Sequence, residues 1–113
     1  MSGNTLFSAF FQSDDTHALV EKARIASRLA KMASGQIREI LYSQKISLLC
    51  RAIELTPDDF VISYYDERGV IGVRYAPTSE GFHLPADQLT LGARVAIVQA
   101  LTRFLSSSAK AVA

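Results

Sequence analysis

The side chains on which chemistry could be built in this 113-residue chain are few: His17 and His83, Cys50, and the acidic pairs Asp58–Asp59 and Asp66–Glu67. A histidine base or a metal site needs carboxylates or further ligands at short, regular spacing. The two histidines stand far apart and have no such neighbours. His17 falls in the first turn of an expected helix and His83 beside a proline-containing loop, so both read as surface or capping residues. Cys50 lies on an apolar helix face with nothing close in sequence to lower its pKa, the setting of a small core residue rather than a nucleophile. As the only cysteine it excludes an intramolecular disulfide and a zinc site built on thiolates, and it points to a reducing compartment. Asp58 and Asp59, with Asp66, Glu67 and Glu80, form an acidic group that would attract a cation. Their positions around turns read as solubilising strand flanks. Tyr64, Tyr65 and Tyr75 could line a pocket or stack a base, although aromatic residues on strands more often pack and pair across the sheet. Glycines 35, 69, 72, 81 and 92 fit neither a phosphate-binding loop nor a dinucleotide fingerprint, and HExxH, CxxC and EF-hand patterns are absent. No catalytic, cofactor-binding or metal-ligating residue is assigned, and binding is expected rather than catalysis.

Cationic residues show more pattern. The stretch KARIASRLAKMASGQIREILYSQK, residues 22–45, carries six cations and one carboxylate. At 100° per residue Arg24, Arg28 and Lys31 share one side of a helix, and Arg38, Tyr42 and Lys45 join them if the helix runs unbroken through Gly35. Arg24, Arg28, Lys31, Arg38 and Lys45 are therefore the candidate surface for a nucleic acid or another anion. The competing explanation is that long cationic stems cover the wet side of a helix buried elsewhere. Residues 21–53 hold seven cations against two carboxylates, net +5, while residues 54–89 hold two against seven, net −5. The whole chain is +1, so the two blocks can neutralise one another within or between copies, which weighs against a dedicated nucleic-acid binder.

The elements that must position these side chains are legible from spacing. Ser13 is expected to cap the first helix, with Asp14 and Asp15 in its first turn. Ile25, Leu29 and Met32 make one apolar stripe. Leu19, Ala23, Ala26, Ala30, Ala33, Ile37 and Ile40 make a heptad seam whose alanines allow close approach of another helix. Gly35 leaves two arrangements open, a break just ahead of it or one long, weakened helix. A second helix over about 36–55 ends at Thr56-Pro57. In DDFVISYYDERGVIGVRYAP, Phe60, Ile62 and Tyr64 alternate with Val61, Ser63 and Tyr65, then Ile71, Val73 and Tyr75 with Val70, Gly72 and Arg74. This spells an antiparallel hairpin, with Gly69 at a positive-φ bulge of its turn. Residues 81–84 suggest a short third strand. A last helix is expected over about 90–106 with a wide apolar arc, followed by a frayed tail, 107–113.

These elements describe one α+β domain: two N-terminal helices, a β-hairpin or three-stranded meander, and a C-terminal helix packed on the sheet. Nothing approaches the roughly 18 apolar residues of a membrane span. MSGNTLFSAFFQ is a poor signal peptide, and the chain reads as a soluble cytoplasmic protein. Phe7, Phe10 and Phe11 of the aromatic N-terminal segment, 1–12, together with Ala23, Ala26, Ala30 and Ala33, are the candidate oligomer surface. The favoured function is a small homo-oligomeric interaction protein, most simply a dimer with a further protein partner. The alternatives are a nucleic-acid-binding accessory protein using the basic stripe, and a small-molecule binder with a pocket between sheet and helices.

Overall fold

The computed structural model describes residues 15–112. The chain divides between Leu55 and Thr56 into two compact units.

The first unit is a helical hairpin of α1 (Thr16–Met32) and α2 (Gly35–Leu55). Asp15, not Ser13, caps α1: its carboxylate accepts the backbone N–H of His17 at 3.0 Å and of Ala18 at 3.4 Å. Three good capping residues stand in a row, and the last of them sits directly ahead of the first helical residue. The helix stops at Met32. Ala33 turns extended, with φ −94° and ψ 172°, and Gly35 begins α2 at φ +62°. A left-handed backbone there is cheap only for glycine. The heptad seam keeps its phase across Ala33–Ser34, but the backbone does not continue as one helix. Leu19, Ala23, Ala26 and Ala30 are buried, as are Leu48, Leu49, Cys50, Ala52 and Ile53 of α2. The small side chains of α1 let the two helices pack closely.

The second unit opens with a 3₁₀ turn, Pro57–Asp59, and continues through β1 (Phe60–Tyr65), β2 (Val70–Tyr75) and β3 (Glu80–Pro85). The strands form an antiparallel meander in the order β1-β2-β3. The β1–β2 turn has the expected chemistry. Gly69 adopts φ +78°, and the Asp66 carboxylate accepts the N–H groups of Arg68 at 2.9 Å and Val70 at 3.1 Å. At the second turn Ser79 takes φ +61°, with its N–H on the Tyr75 carbonyl at 2.8 Å. The third strand reaches Pro85, a residue tolerated at the end of an edge strand because it need not donate there. A second 3₁₀ turn, Ala86–Gln88, leads to α3 (Leu91–Val112), whose start is capped by the Thr90 hydroxyl accepting Ala93 N–H at 3.2 Å. The helix runs six residues beyond the expected end. The three serines carry only a small helix penalty, and no Gly or Pro follows to stop it. It packs on β1 and the 3₁₀ turn before it, burying Ala93, Ala96 and Ile97. Arg103 adds a 3.0 Å ion pair to Asp58. Two N-terminal helices, a three-stranded meander and a C-terminal helix on the sheet make the expected α+β arrangement.

Candidate functional site

The tip of the helical hairpin is the most unusual surface of the first unit. From Lys31 to Ser43 no residue is buried, although the stretch contains Met32, Ile37, Ile40 and Leu41. Met32 is 78% exposed and Ile37 64%; Ile40, Ile25 and Leu29 are each about half exposed. Ile25, Leu29 and Met32 recur at i, i+4 and i+7, so they line one side of α1. That side lies away from the buried alanine seam. Ile37 and Ile40 occupy the first turns of α2, just past the corner. Single exposed leucines or isoleucines are ordinary; here five large apolar side chains are exposed on one short hairpin.

The residues expected at an oligomer surface are placed differently. Ala23, Ala26 and Ala30 are buried and Ala33 is half-buried, so the seam is spent on packing inside the hairpin and is not part of its outer face. Phe7, Phe10 and Phe11 lie outside the described residues.

The five candidate cations do not form one stripe, because the break at Ala33–Ser34 divides them between two helices. Arg24 pairs with Glu21 one turn earlier, and that ion pair holds the Glu21 carboxyl below its usual range. Arg28 and Lys31 are exposed on α1. Arg38 is engaged in holding the corner together. Its Nε donates to the carbonyls of Ala33 at 2.9 Å and Ala30 at 3.1 Å, closing the open end of α1 from the first turns of α2. Lys45 is only 8% exposed, its ammonium 5.7 Å from the Tyr42 ring centroid. Burial pushes its pKa down, and the charge of Lys31 adds to the effect. A phosphate-binding surface would hold its cations in water and aimed outward; only Arg28 and Lys31 meet that description without another contact being drawn on.

In the second unit one feature reorganises the expected sheet faces. The β1–β2 register shifts between Ile62 and Tyr64, so Ser63 is an extra residue in β1. A bulge moves every later side chain to the opposite face. Tyr64, expected beside Phe60 and Ile62, turns outward opposite Gly72, and Tyr65 pairs with Ile71 at the end of the strand, its side chain 56% exposed. Outward, Tyr64 lies across Gly72 and its hydroxyl contacts Nδ1 of His83, the residue paired with Gly72 on β3. The rings stand 5.6 Å apart at 52°. A Cβ at position 72 would strike the Tyr64 ring, which is why the middle strand carries glycine there.

Tyr65 and Ile71 line a cavity of about 530 Å³. Ile97 and Val98 of α3 and Leu89 line it as well. Asp87 and Arg94 also line it, two opposite charges that make no ion pair with each other. Arg94 reaches only the Ala86 carbonyl, at 3.5 Å through Nη2. Leu91, Val95 and Val98, part of the expected apolar arc of α3, are exposed.

Among the described residues no three His, Cys, Asp or Glu side chains gather as a metal site, and no helix is long and apolar enough to cross a membrane. A pocket between sheet and helices, with Tyr65 among its lining residues, was one of the expectations from sequence; Asp87 and Arg94 at its edge were not. Gly72, a small residue among β-branched and aromatic neighbours, signals that a side chain from the next strand lies over it. No protein-family model, curated protein or solved structure matches this chain.

Proposed function

We propose that this protein is a non-enzymatic interaction module that self-associates through its helical hairpin, most simply as a two-fold dimer. The observation that carries the reading is the exposed apolar group Ile25, Leu29, Met32, Ile37 and Ile40. A two-helix hairpin can bury only one side of each helix against the other. Two hairpins packed together as a four-helix bundle cover the remaining apolar side. A second copy is the occupant best suited to the face. An apolar patch is complementary to itself under a two-fold axis, and the total charge of +1 sets up little repulsion between copies. The hairpin block at +5 also has a ready counterpart in the −5 block of a neighbouring chain.

The five side chains expose the equivalent of about three whole residues. At about 1.5–3 kcal/mol per buried side chain this supplies roughly 4–8 kcal/mol from each copy. Two copies offset an association cost of about 4–15 kcal/mol. Sedimentation equilibrium from about 0.1 to 100 μM spans the corresponding affinities. The expected result is a mass that rises from 12.4 kDa to twice that value. A monomer throughout overturns the proposal. Salt-sensitive binding of mixed-sequence DNA or RNA by that monomer, abolished by charge reversal at Arg28 and Lys31, would move the function to the cations.

A further inference from the structure

The second unit carries a different kind of site, independent of self-association. Its cavity of about 530 Å³ lies in the range of small-molecule pockets. Most of its wall is apolar: Ile71, Leu89, Ile97 and Val98, with the ring of the half-exposed Tyr65 bordering it. Such a wall selects for a ligand with a hydrophobic body. Two charges then restrict the rest of it. Asp87 and Arg94 border the same space, are seven residues apart across the 3₁₀ turn and the first turn of α3, and do not pair with each other. The Arg94 fork has five donors and uses one, at the long distance of 3.5 Å, on the Ala86 carbonyl. Asp87 is held close by because Ala86 N–H donates to the Gly69 carbonyl at 2.8 Å, tying the 3₁₀ turn to the β1–β2 loop.

We propose that this cavity binds a free α-amino acid with a large apolar side chain, its carboxylate on Arg94 and its ammonium on Asp87. One negative and one positive wall group balance a zwitterion. A simple fatty or aromatic acid would bring its carboxylate beside Asp87 with nothing to offset it, and a dianion such as a phosphate monoester would fare worse. An amino acid within a peptide chain has lost both charges at its α-carbon, so the free molecule is the ligand. Its side chain covers apolar wall that is otherwise wet, including the exposed Val98.

The test is a ¹⁵N-HSQC titration of the full chain with three probes that share a phenyl group. L-Phenylalanine carries both charges, 3-phenylpropionate only the carboxylate, and phenethylamine only the ammonium. Saturable shifts by L-phenylalanine at Ile71, Leu89, Arg94 and Ile97 are expected, with each single-charge probe at least about tenfold weaker, the loss that follows from removing one charge-assisted contact. Arg94→Gln and Asp87→Asn should each weaken L-phenylalanine by about the same factor. Both positions are exposed, so the variants should fold, and an unchanged spectrum without ligand verifies this. Equal affinity for the three probes, indifference to both substitutions, or no saturable shift up to solubility overturns the proposal.

Discussion

Replacing Met32 and Ile37 together by serine removes the two most exposed apolar side chains of the hairpin. Their exposures of 78% and 64% amount to about 1.4 whole side chains per copy, and a symmetric dimer loses twice that. At about 1.5–3 kcal/mol per side chain the loss is roughly 4–8 kcal/mol, or about a thousandfold to a millionfold in the dissociation constant. If the dimer covers only half of this surface, the expected change is about thirtyfold to a thousandfold. The monomer should hardly notice, because exposed substitutions away from caps and strained backbone stay within about 0.5 kcal/mol. Sedimentation equilibrium reads the association and thermal melting reads the fold. Val61→Ser is the control, since Val61 is exposed on the outer sheet face and takes no part in the hairpin. Equal dissociation constants for the double variant and the parent would refute the reasoning. So would a drop of several degrees in monomer Tm, which would show that these side chains support the fold rather than a neighbour.

Gly35→Ala should cost about 1–2 kcal/mol in urea unfolding, because a Cβ at φ +62° is strained although nothing lies within 4 Å of it. Lys45→Met should raise Tm near neutral pH. The folded-state pKa of Lys45 is depressed, so below it the native chain carries a buried charge that the unfolded chain keeps in water. That penalty fades as pH rises through the folded pKa toward the ordinary lysine value, and the stability gain of the methionine variant should shrink over the same interval. Gly72→Ala should push the Tyr64 ring off His83, a displacement visible as a changed His83 imidazole shift with the meander otherwise intact. Acidification should loosen the β1–β2 turn first, seen as faster amide exchange at Arg68 and Val70. The Val70 N–H, and after it the contacts of Arg68, hold the Asp66 carboxyl below its usual pKa, so its contribution is present above that usual value and lost as pH falls through the depressed one.

The elements were legible where one physical signal dominated. Alternation marked β1 and β2, and Asp66 with Gly69 marked the turn between them, because few residues reach its dihedral angles. Pro57 marked the end of α2. Competition between equal signals hid the rest. Ser13, Asp14 and Asp15 are all good caps, and only the packing of α1 decides among them. The heptad seam from Leu19 to Ile40 keeps its phase through Ala33–Ser34, so spacing could not show that the cations divide between two helices. Nor could it show that Arg38 is drawn onto the carbonyls of Ala30 and Ala33. The bulge at Ser63 depends on the partner strand rather than on the composition of FVISYY. With the bulge went the face of Tyr64; a pocket between sheet and helices with Tyr65 in its lining was expected, but the place of Asp87 and Arg94 beside it was not. The apolar stripe Ile25, Leu29 and Met32 was visible as a stripe, but spacing says only that residues share a side, not whether that side is covered.

A nitroxide attached at Ile37→Cys, with buried Cys50 left in place as the unreactive thiol, tests the hairpin interface most directly by pulsed dipolar spectroscopy. A two-fold bundle of hairpins gives one well-defined distance between copies that vanishes on dilution with unlabelled protein. A featureless background at concentrations where the mass is doubled would place the contact elsewhere on the chain and contradict an interface built on Met32 and Ile37.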